Sequence, residues 1–306
     1  MFGYKNSNQA LNRTVKNDVN YVRAKSYNYD HKPFLLKKVG FPVDFTINSE
    51  LTYILDGQND KLLVYDESFN YKKTYEELND LIKTYGGTPQ SLKINNKFII
   101  IQVRRGILIY NRETKSHHYK KIKGEFLFDL RDENLYIVDD KQSEIIEYKI
   151  FNNELKLYKR HKLKLDYFTR FFVRNKNMFV VDFIKDNFIK KSLNYNKTKN
   201  ILNLQNLYDE KYIFYLEEVN SNIALFLAYN ENETVIMSYN LDQKKLAEIN
   251  LSKDPNLIIN KHDKYKNDFC NFNKKICTRV ILKNKNKLVM LYSYKNSTYI
   301  SEIEMP

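Results

Sequence analysis

Hydrophobic and polar positions along this chain fall into a figure that keeps returning. In "LTYILDGQNDKLLVYD", Leu51 to Asp66, two short apolar runs flank a polar turn, and "NLYIVDDKQSEIIEY", Asn134 to Tyr148, repeats much of it. Runs of this length, rich in Ile, Val, Leu, Phe and Tyr and bounded by Asn, Asp, Lys or Gly, read as β-strands joined by tight turns. The residue closing the second run is Tyr65. Its counterparts are Tyr110, Tyr148, Leu193 and Tyr239, at steps of 45, 38, 45 and 46 residues. A period of this size marks a repeat architecture. A last, less regular copy runs from Lys287 to Ile303.

Each complete copy holds about four runs and predicts a four-stranded antiparallel meander. In the first copy they are "PVDFTI", "LTYILD", "KLLVYD" and "YKKTY"; in the second, "PQSLKI", "KFIIIQ", "GILIYN" and "SHHYKK". Second runs such as "FIII" and "IALFLA" are continuously apolar, which implies burial on both faces, as in sheets stacked around an axis. Six copies are present. The last has only three runs, "TRVILK", "KLVMLYSY" and "TYISEI", while an orphan run, "KPFLLKKV", Lys32 to Val39, precedes the first. Placed as the outer strand of the last copy, the orphan closes a ring and removes an exposed sheet edge. The expected fold is all-β: a single β-propeller of six four-stranded blades over residues 25–306, after an N-terminal extension, 1–24, that is poorly ordered or packed on the surface. Seven blades are the numerical alternative, since Leu251 to Thr278 has room for two more strands, "PNLIIN" among them. A β-sandwich with a second β domain, or a larger barrel, accounts less well for six periodic units and a terminal clasp.

The stretch "FPVDFTINSELTYILDGQNDKLLVYDESF" resembles an NHL-type propeller repeat, in which a Pro-led inner strand is followed by a "YVxD" strand, a polar turn and an "IxVYD"-like strand. "TPQSLKI" and "NLYIVDDKQSEIIEY" repeat parts of it. The later units share only the period, Gly is scarce, and unit four reads "MFVVDFIKDNFIKKS". The resemblance implies a six-bladed propeller. Propellers of this type include both ligand-binding scaffolds and enzymes, so it implies no particular activity.

Composition changes the picture little: 42% hydrophobic and 29% charged residues describe a globular chain. The net charge of +14 raises nucleic acid, an anionic membrane surface and an acidic glycan as partners. Yet Lys greatly outnumbers Arg, Asn, Ile and Tyr are abundant, and the basic residues are spread rather than blocked. AT-biased coding gives that pattern without selection for polyanions. Cys270 and Cys277, the only cysteines, are spaced to close a small disulfide loop in an oxidising compartment or to remain two thiols in a reducing one. Without a His at ligand spacing they make a weak metal site. No run of about 18 apolar residues occurs. The first residues carry no apolar h-region, so the sequence as written reads as cytoplasmic, and as cell-envelope or secreted if a signal peptide was trimmed.

In a four-stranded blade the loop between strands two and three shares a rim with the linker to the next blade. The long segments 76–88, 160–168 and 252–278 belong to that class, the first with helical spacing that ends at Gly86 and Gly87. The rim collects the binding candidates Arg104, Arg105, Arg160, His161, Lys162, Tyr167 and Tyr265, with His262, Lys264 and Lys266 beside the last. Arg grips carboxylate or phosphate in bidentate fashion and Tyr offers a stacking face, so an acidic ligand suits them. Asp44 and Arg170 hold corresponding inner-strand positions, with Asp129 and Arg279 in the same strand class, and either bind a small ligand at the axis or pair with one another.

No Walker, Rossmann, "HExxH" or "GxSxG" signature occurs. His117 and His118 alternate to opposite faces of an outer strand. Asp56, Asp139 and Asp182 recur as turn residues at the end of strand two. The preferred expectation is a non-enzymatic scaffold without cofactor that binds a protein partner, with acidic glycan or nucleic acid as other ligands. The alternative is a lactonase-like hydrolase or lyase with a divalent metal at the channel mouth.

Overall fold

A computed structural model describes residues 34–250 and 276–304, with gaps at 140–141, 164, 166, 196, 209–210, 221, 231–233, 285–286 and 295–296, and adds 20–23 and 270–271. For 20–23, 250, 270–271, 276–278 and 293–294 only the backbone is described. Tyr265 and its neighbours His262, Lys264 and Lys266 lie outside the described residues, as does "PNLIIN".

The period predicts the sheets closely. Two strands precede the first repeat, β1 (Asn20–Arg23) and β2 (Phe34–Leu36). Blade one is β3 (Pro42–Asn48), β4 (Leu51–Asp56), β5 (Lys61–Tyr65) and β6 (Tyr71–Thr74). Helix α1 (Glu76–Thr84) leads to blade two: β7 (Ser91–Ile94), β8 (Phe98–Val103), β9 (Gly106–Asn111) and β10 (His117–Lys121). Blade three is β11 (Phe126–Arg131), β12 (Asn134–Asp139), β13 (Glu144–Phe151) and β14 (Glu154–Lys162). Blade four is β15 (Phe171–Arg174), β16 (Asn177–Asp182), β17 (Asn187–Ser192) and β18 (Thr198–Asn203). Blade five is β19 (Ile213–Val219), β20 (Ile223–Tyr229), β21 (Thr234–Asn240) and β22 (Lys245–Asn250), with β1 added in parallel to β22. Blade six has β24 (Ile276–Asn284), β25 (Lys287–Tyr294) and β26 (Ser297–Glu304), and the short β23 (Cys270–Asn271) pairs with the start of β24. Cys270 and Cys277 are register partners there.

The ring closes as the orphan run predicts. Strand β2 pairs antiparallel with β26, Phe34 opposite Ile300 and Leu36 opposite Thr298, so the outer strand of blade six comes from the front of the chain. One expected boundary moves. Arg160, His161 and Lys162 belong to β14 rather than to a rim loop, because Lys162 and His161 pair with Glu144 and Ile145 across a long outer hairpin.

Each blade interface holds its own hydrophobic core, and successive residues of a middle strand serve different cores. Ile99 and Ile101 join Tyr53, Leu55, Leu92 and Leu108 between blades one and two. Phe98 and Ile100 join Phe126, Phe128 and Ile137 between blades two and three. This is why the second runs are apolar throughout. Leu36, Ile54, Leu63, Tyr65, Val289 and Ile300 form the core at the clasp.

Only 7 glycines serve this many turns because Asx geometry replaces them. Asp56 Oδ1 accepts the N–H of Gln58 at 3.0 Å, Asp182 Oδ1 that of Ile184 at 3.0 Å, and Asn240 Oδ1 that of Gln243 at 2.9 Å. Asp56 also accepts from Gly40 N at 2.7 Å and Phe41 N at 3.1 Å, which ties the segment after the clasp to blade one.

Leu36 is 3% exposed and Leu35 is 53% exposed on the same clasp strand. Leu36→Ala should therefore cost about 2–4 kcal/mol by urea denaturation, and Leu35→Ala less than about 0.5 kcal/mol. Equal effects would mean that the clasp does not close the ring by burial.

Candidate functional site

The innermost strands carry charged side chains whose sign alternates around the axis. Blades one, three and five supply Asp44, Asp129 and Glu217; blades two, four and six supply Lys93, Arg174 and Arg279. Each acid reaches the next blade. Asp44 Oδ2 accepts the N–H of Leu92 at 2.8 Å, Asp129 Oδ2 that of Val173 at 2.8 Å, and Glu217 Oε2 that of Val280 at 3.4 Å.

Cations complete the circuit. Arg174 Nη1 meets Asp129 at 3.0 Å and Lys93 Nζ meets the same carboxylate at 3.4 Å. Arg170 Nη1 lies 2.5 Å from Glu217, and Arg279 reaches both Glu217, at 3.6 Å, and Asp44. Glu218, beside Glu217, accepts the N–H of Leu282 at 2.6 Å.

Burial raises the Glu217 carboxyl above its usual range against the opposing pull of Arg170. It also pushes Arg279 down to about 10, which leaves the guanidinium charged at neutral pH. Asp44 and Arg170 thus take part in axial pairing, though not with each other. Lys93, Arg174, Glu217 and Glu218 were not singled out from sequence. Their signal was a charge set in the first apolar run of its unit, as in "SLKI", "FFVR" and "IFYLEEV".

His161 points into the protein rather than onto the rim. It is 8% exposed; its Nδ1 donates to Leu193 O at 2.8 Å and its Nε2 lies 3.2 Å from Glu147. Tyr136 Oη at 3.1 Å and Lys176 Nζ at 2.8 Å complete the shell around Glu147 and join blades three and four. Burial would raise the Glu147 carboxyl, but the bonds from Lys176, His161 and Tyr136 outweigh it and hold the group below its usual range.

The remaining rim candidates are spread over blades two to four. Arg104 and Arg105 form the exposed β8–β9 turn, and among the described residues neither has a carboxylate partner within ion-pair distance. The Arg104 N–H donates to Gly87 O at 3.4 Å, and Thr88 N donates to Asp60 at 2.9 Å. These bonds join the helix linker to both neighbouring turns and place "GQND" near the two arginines.

Beside them Tyr119 stacks on Tyr85 with centroids 4.3 Å apart, and the Arg105 guanidinium opposes the burial that raises the Tyr119 phenol. Lys121 and Lys123 are exposed on the same rim, and Lys120 sits 5.0 Å over the Tyr148 ring. Arg160 pairs with Glu144 at 2.7 Å, and Lys162 is exposed. Tyr167 is 57% exposed in the linker before blade four, its ring edge-on to Phe183 and its carbonyl accepting Phe183 N at 2.9 Å. The neighbouring Ile184 is 70% exposed. On this rim the exposed cations thus gather at the β8–β9 turn and the end of β10 in blade two, blade three mixes Arg160 and Lys162 with Glu144, and blade four presents Tyr167 and Ile184 beside Lys185.

No helix among the described residues is long and apolar enough to cross a membrane. Among the described residues no group of three or more His, Cys, Asp or Glu side chains is placed to hold a metal ion.

No family model matches the chain, and no curated protein matches it at a significant level. Solved structures do. Virginiamycin B lyase from Staphylococcus aureus aligns at 7% identity over 90% of this chain and 99% of its own, with a TM-score of 0.53. A putative exported protein from Bacteroides fragilis aligns at 11% identity over 93% and 99%, with a TM-score of 0.52. The chain is a six-bladed β-propeller module. At these identities the likeness concerns the fold alone.

Arg279→Met should cost about 3–5 kcal/mol, because it removes the cation that buried carboxylates on two blades share and leaves Asp44 without an ion partner among the described residues. The Asp44→Asn/Arg279→Met double variant should lose less than the two single losses combined, with a coupling of about 1–3 kcal/mol in urea denaturation. Strict additivity would contradict the pairing.

Glu147 gives a pH test. A folded value below the ordinary 4.5 contributes stability that is full above that pH and is lost as pH falls through the folded value. The stability gap between wild type and Glu147→Gln should be widest near neutrality and shrink in acid, followed by urea midpoints across pH. A gap that grows on acidification would reverse the assignment.

Proposed function

We propose that the protein is a non-enzymatic propeller binding module whose rim over blades two to four recognises an acidic segment of a protein partner. The observation that carries this reading is the adjacent pair Arg104 and Arg105, exposed and without a carboxylate partner among the described residues. Guanidinium groups free of internal partners are available for bidentate bonds to Asp and Glu side chains. Lys121 and Lys123 extend the positive field, which raises the local concentration of an acidic partner and speeds encounter. Tyr167 and Ile184 on the next part of the rim supply an apolar contact, so the favoured ligand combines carboxylates with an apolar side chain.

Affinity capture from the native cell tests this with wild type and with Arg104→Glu/Arg105→Glu. Partners should bear an acidic segment, fall at least about tenfold in the variant, and weaken as salt rises from about 50 to about 200 mM. Recovery of the same partners in the same amount from the variant would show that the surface lies elsewhere. Capture of nucleic acid or a sulfated glycan in place of protein would overturn the choice of ligand.

A further inference from the structure

Blades four and five do not meet along their whole length. Between them lies a cleft of about 630 Å³, running from Arg174 on the innermost strand to Lys199 on the outermost strand of blade four. That volume falls within the usual range of small-molecule sites. Its chemistry differs from the apolar cores at the same interface. Lys190, Lys199 and Lys244 line it, and among the described residues none of them has a carboxylate within ion-pair distance. Asp242 is the acidic residue of the lining, and Asn175, Asn177, Asn200 and Asn203 supply amides. Phe179, Ile201 and Leu241 contribute apolar wall.

Tyr239 is a second, independent pointer. It lines the cleft and is 1% exposed, yet its hydroxyl has no hydrogen-bond partner among the described residues. The ring is buried while the hydroxyl still reaches the cleft, so its hydrogen bond is made there rather than inside the protein. A ligand hydroxyl would supply it.

We propose that this cleft binds a short phosphorylated saccharide. The three ammonium groups suit a phosphate dianion. The amides, Asp242 and the Tyr239 hydroxyl offer donors and acceptors at the density a polyol requires, and the apolar wall suits the C–H face of a sugar ring. The site is separate from the basic rim, so either can fail alone.

The test is calorimetric titration of the full chain with glucose phosphate and trehalose phosphate, alongside glucose, trehalose and inorganic phosphate. At least one sugar phosphate should bind at least about tenfold more tightly than inorganic phosphate and than its parent sugar. Lys190→Gln/Lys244→Gln should lose about tenfold or more. Tyr239→Phe should keep the urea midpoint of wild type, having no internal bond to lose, and still bind more weakly. Arg104→Glu/Arg105→Glu should bind the sugar phosphate as wild type does. The proposal is overturned if inorganic phosphate or the parent sugar binds as tightly as the ester. It is equally overturned if no sugar phosphate binds the folded chain, or if Tyr239→Phe binds unchanged.

Discussion

Burying charge around an axis constrains this molecule more than any other feature. Each ion removed from water costs several kcal/mol unless a partner meets it with good geometry. Here every innermost strand brings at least one ion, and the partners come from neighbouring blades: Lys93 and Arg174 on Asp129, Arg170 on Glu217, Arg279 between Glu217 and Asp44. Signs that alternate from blade to blade close only when the number of blades is even. A seventh blade bringing its own axial charge would set two like charges side by side, at about 4 kcal/mol for a separation of about 4 Å in a medium of intermediate polarity. The axial circuit therefore helps to specify six blades, in this order, beyond what the apolar faces require.

The same circuit shapes the outside. Asp44, Asp129, Glu217 and Glu218 balance Lys93, Arg170, Arg174 and Arg279, four against four, so the axis takes up none of the excess of +14. That excess must be carried by the rest of the chain. On the rim it gathers where Arg104, Arg105, Lys121 and Lys123 face solvent; of the acids nearby, Asp60 accepts from Thr88 N and Glu144 pairs with Arg160, while Glu125 is exposed beside Lys123. The field outside the protein is the part of its charge left over from assembly.

The architecture was legible because it is written in local terms. Strand runs, Asx turns and the three-run last unit each carry their own signal, and "LTYILD", "GILIYN" and "KLVMLYSY" became β4, β9 and β25 residue for residue. The ion pairs were not legible in the same way. An Asp within an apolar run announces a buried charge, but its partner depends on which strand lies across the axis, a fact of ring closure. Asp44 and Arg170 were matched by position in the repeat, whereas Asp44 meets Arg279, 235 residues away in sequence. His161 failed for a different reason. "RHKLK" looks like a solvated loop, and only its pairing with β13 makes it a strand, whose alternation sends His161 inward and Arg160 and Lys162 outward.

Departures from the repeat also say where to look for what is particular to this chain. Unit four departs from the repeat in its third strand, which reads "NFIKKS" where blade two has "GILIYN" and blade five "TVIMSYN". At the corresponding position Ile107 of blade two and Ile236 of blade five face the following blade as hydrocarbon. In blade four Lys190 takes such a place, its ammonium 6.0 Å over the Phe179 ring, and the interface opens into the cleft beside Tyr239. A Lys set among strand positions that elsewhere are apolar gives up packing area. The divergence that weakens the repeat and the cavity that interrupts the interface thus coincide at Lys190, a polar side chain where the fold by itself would place a core.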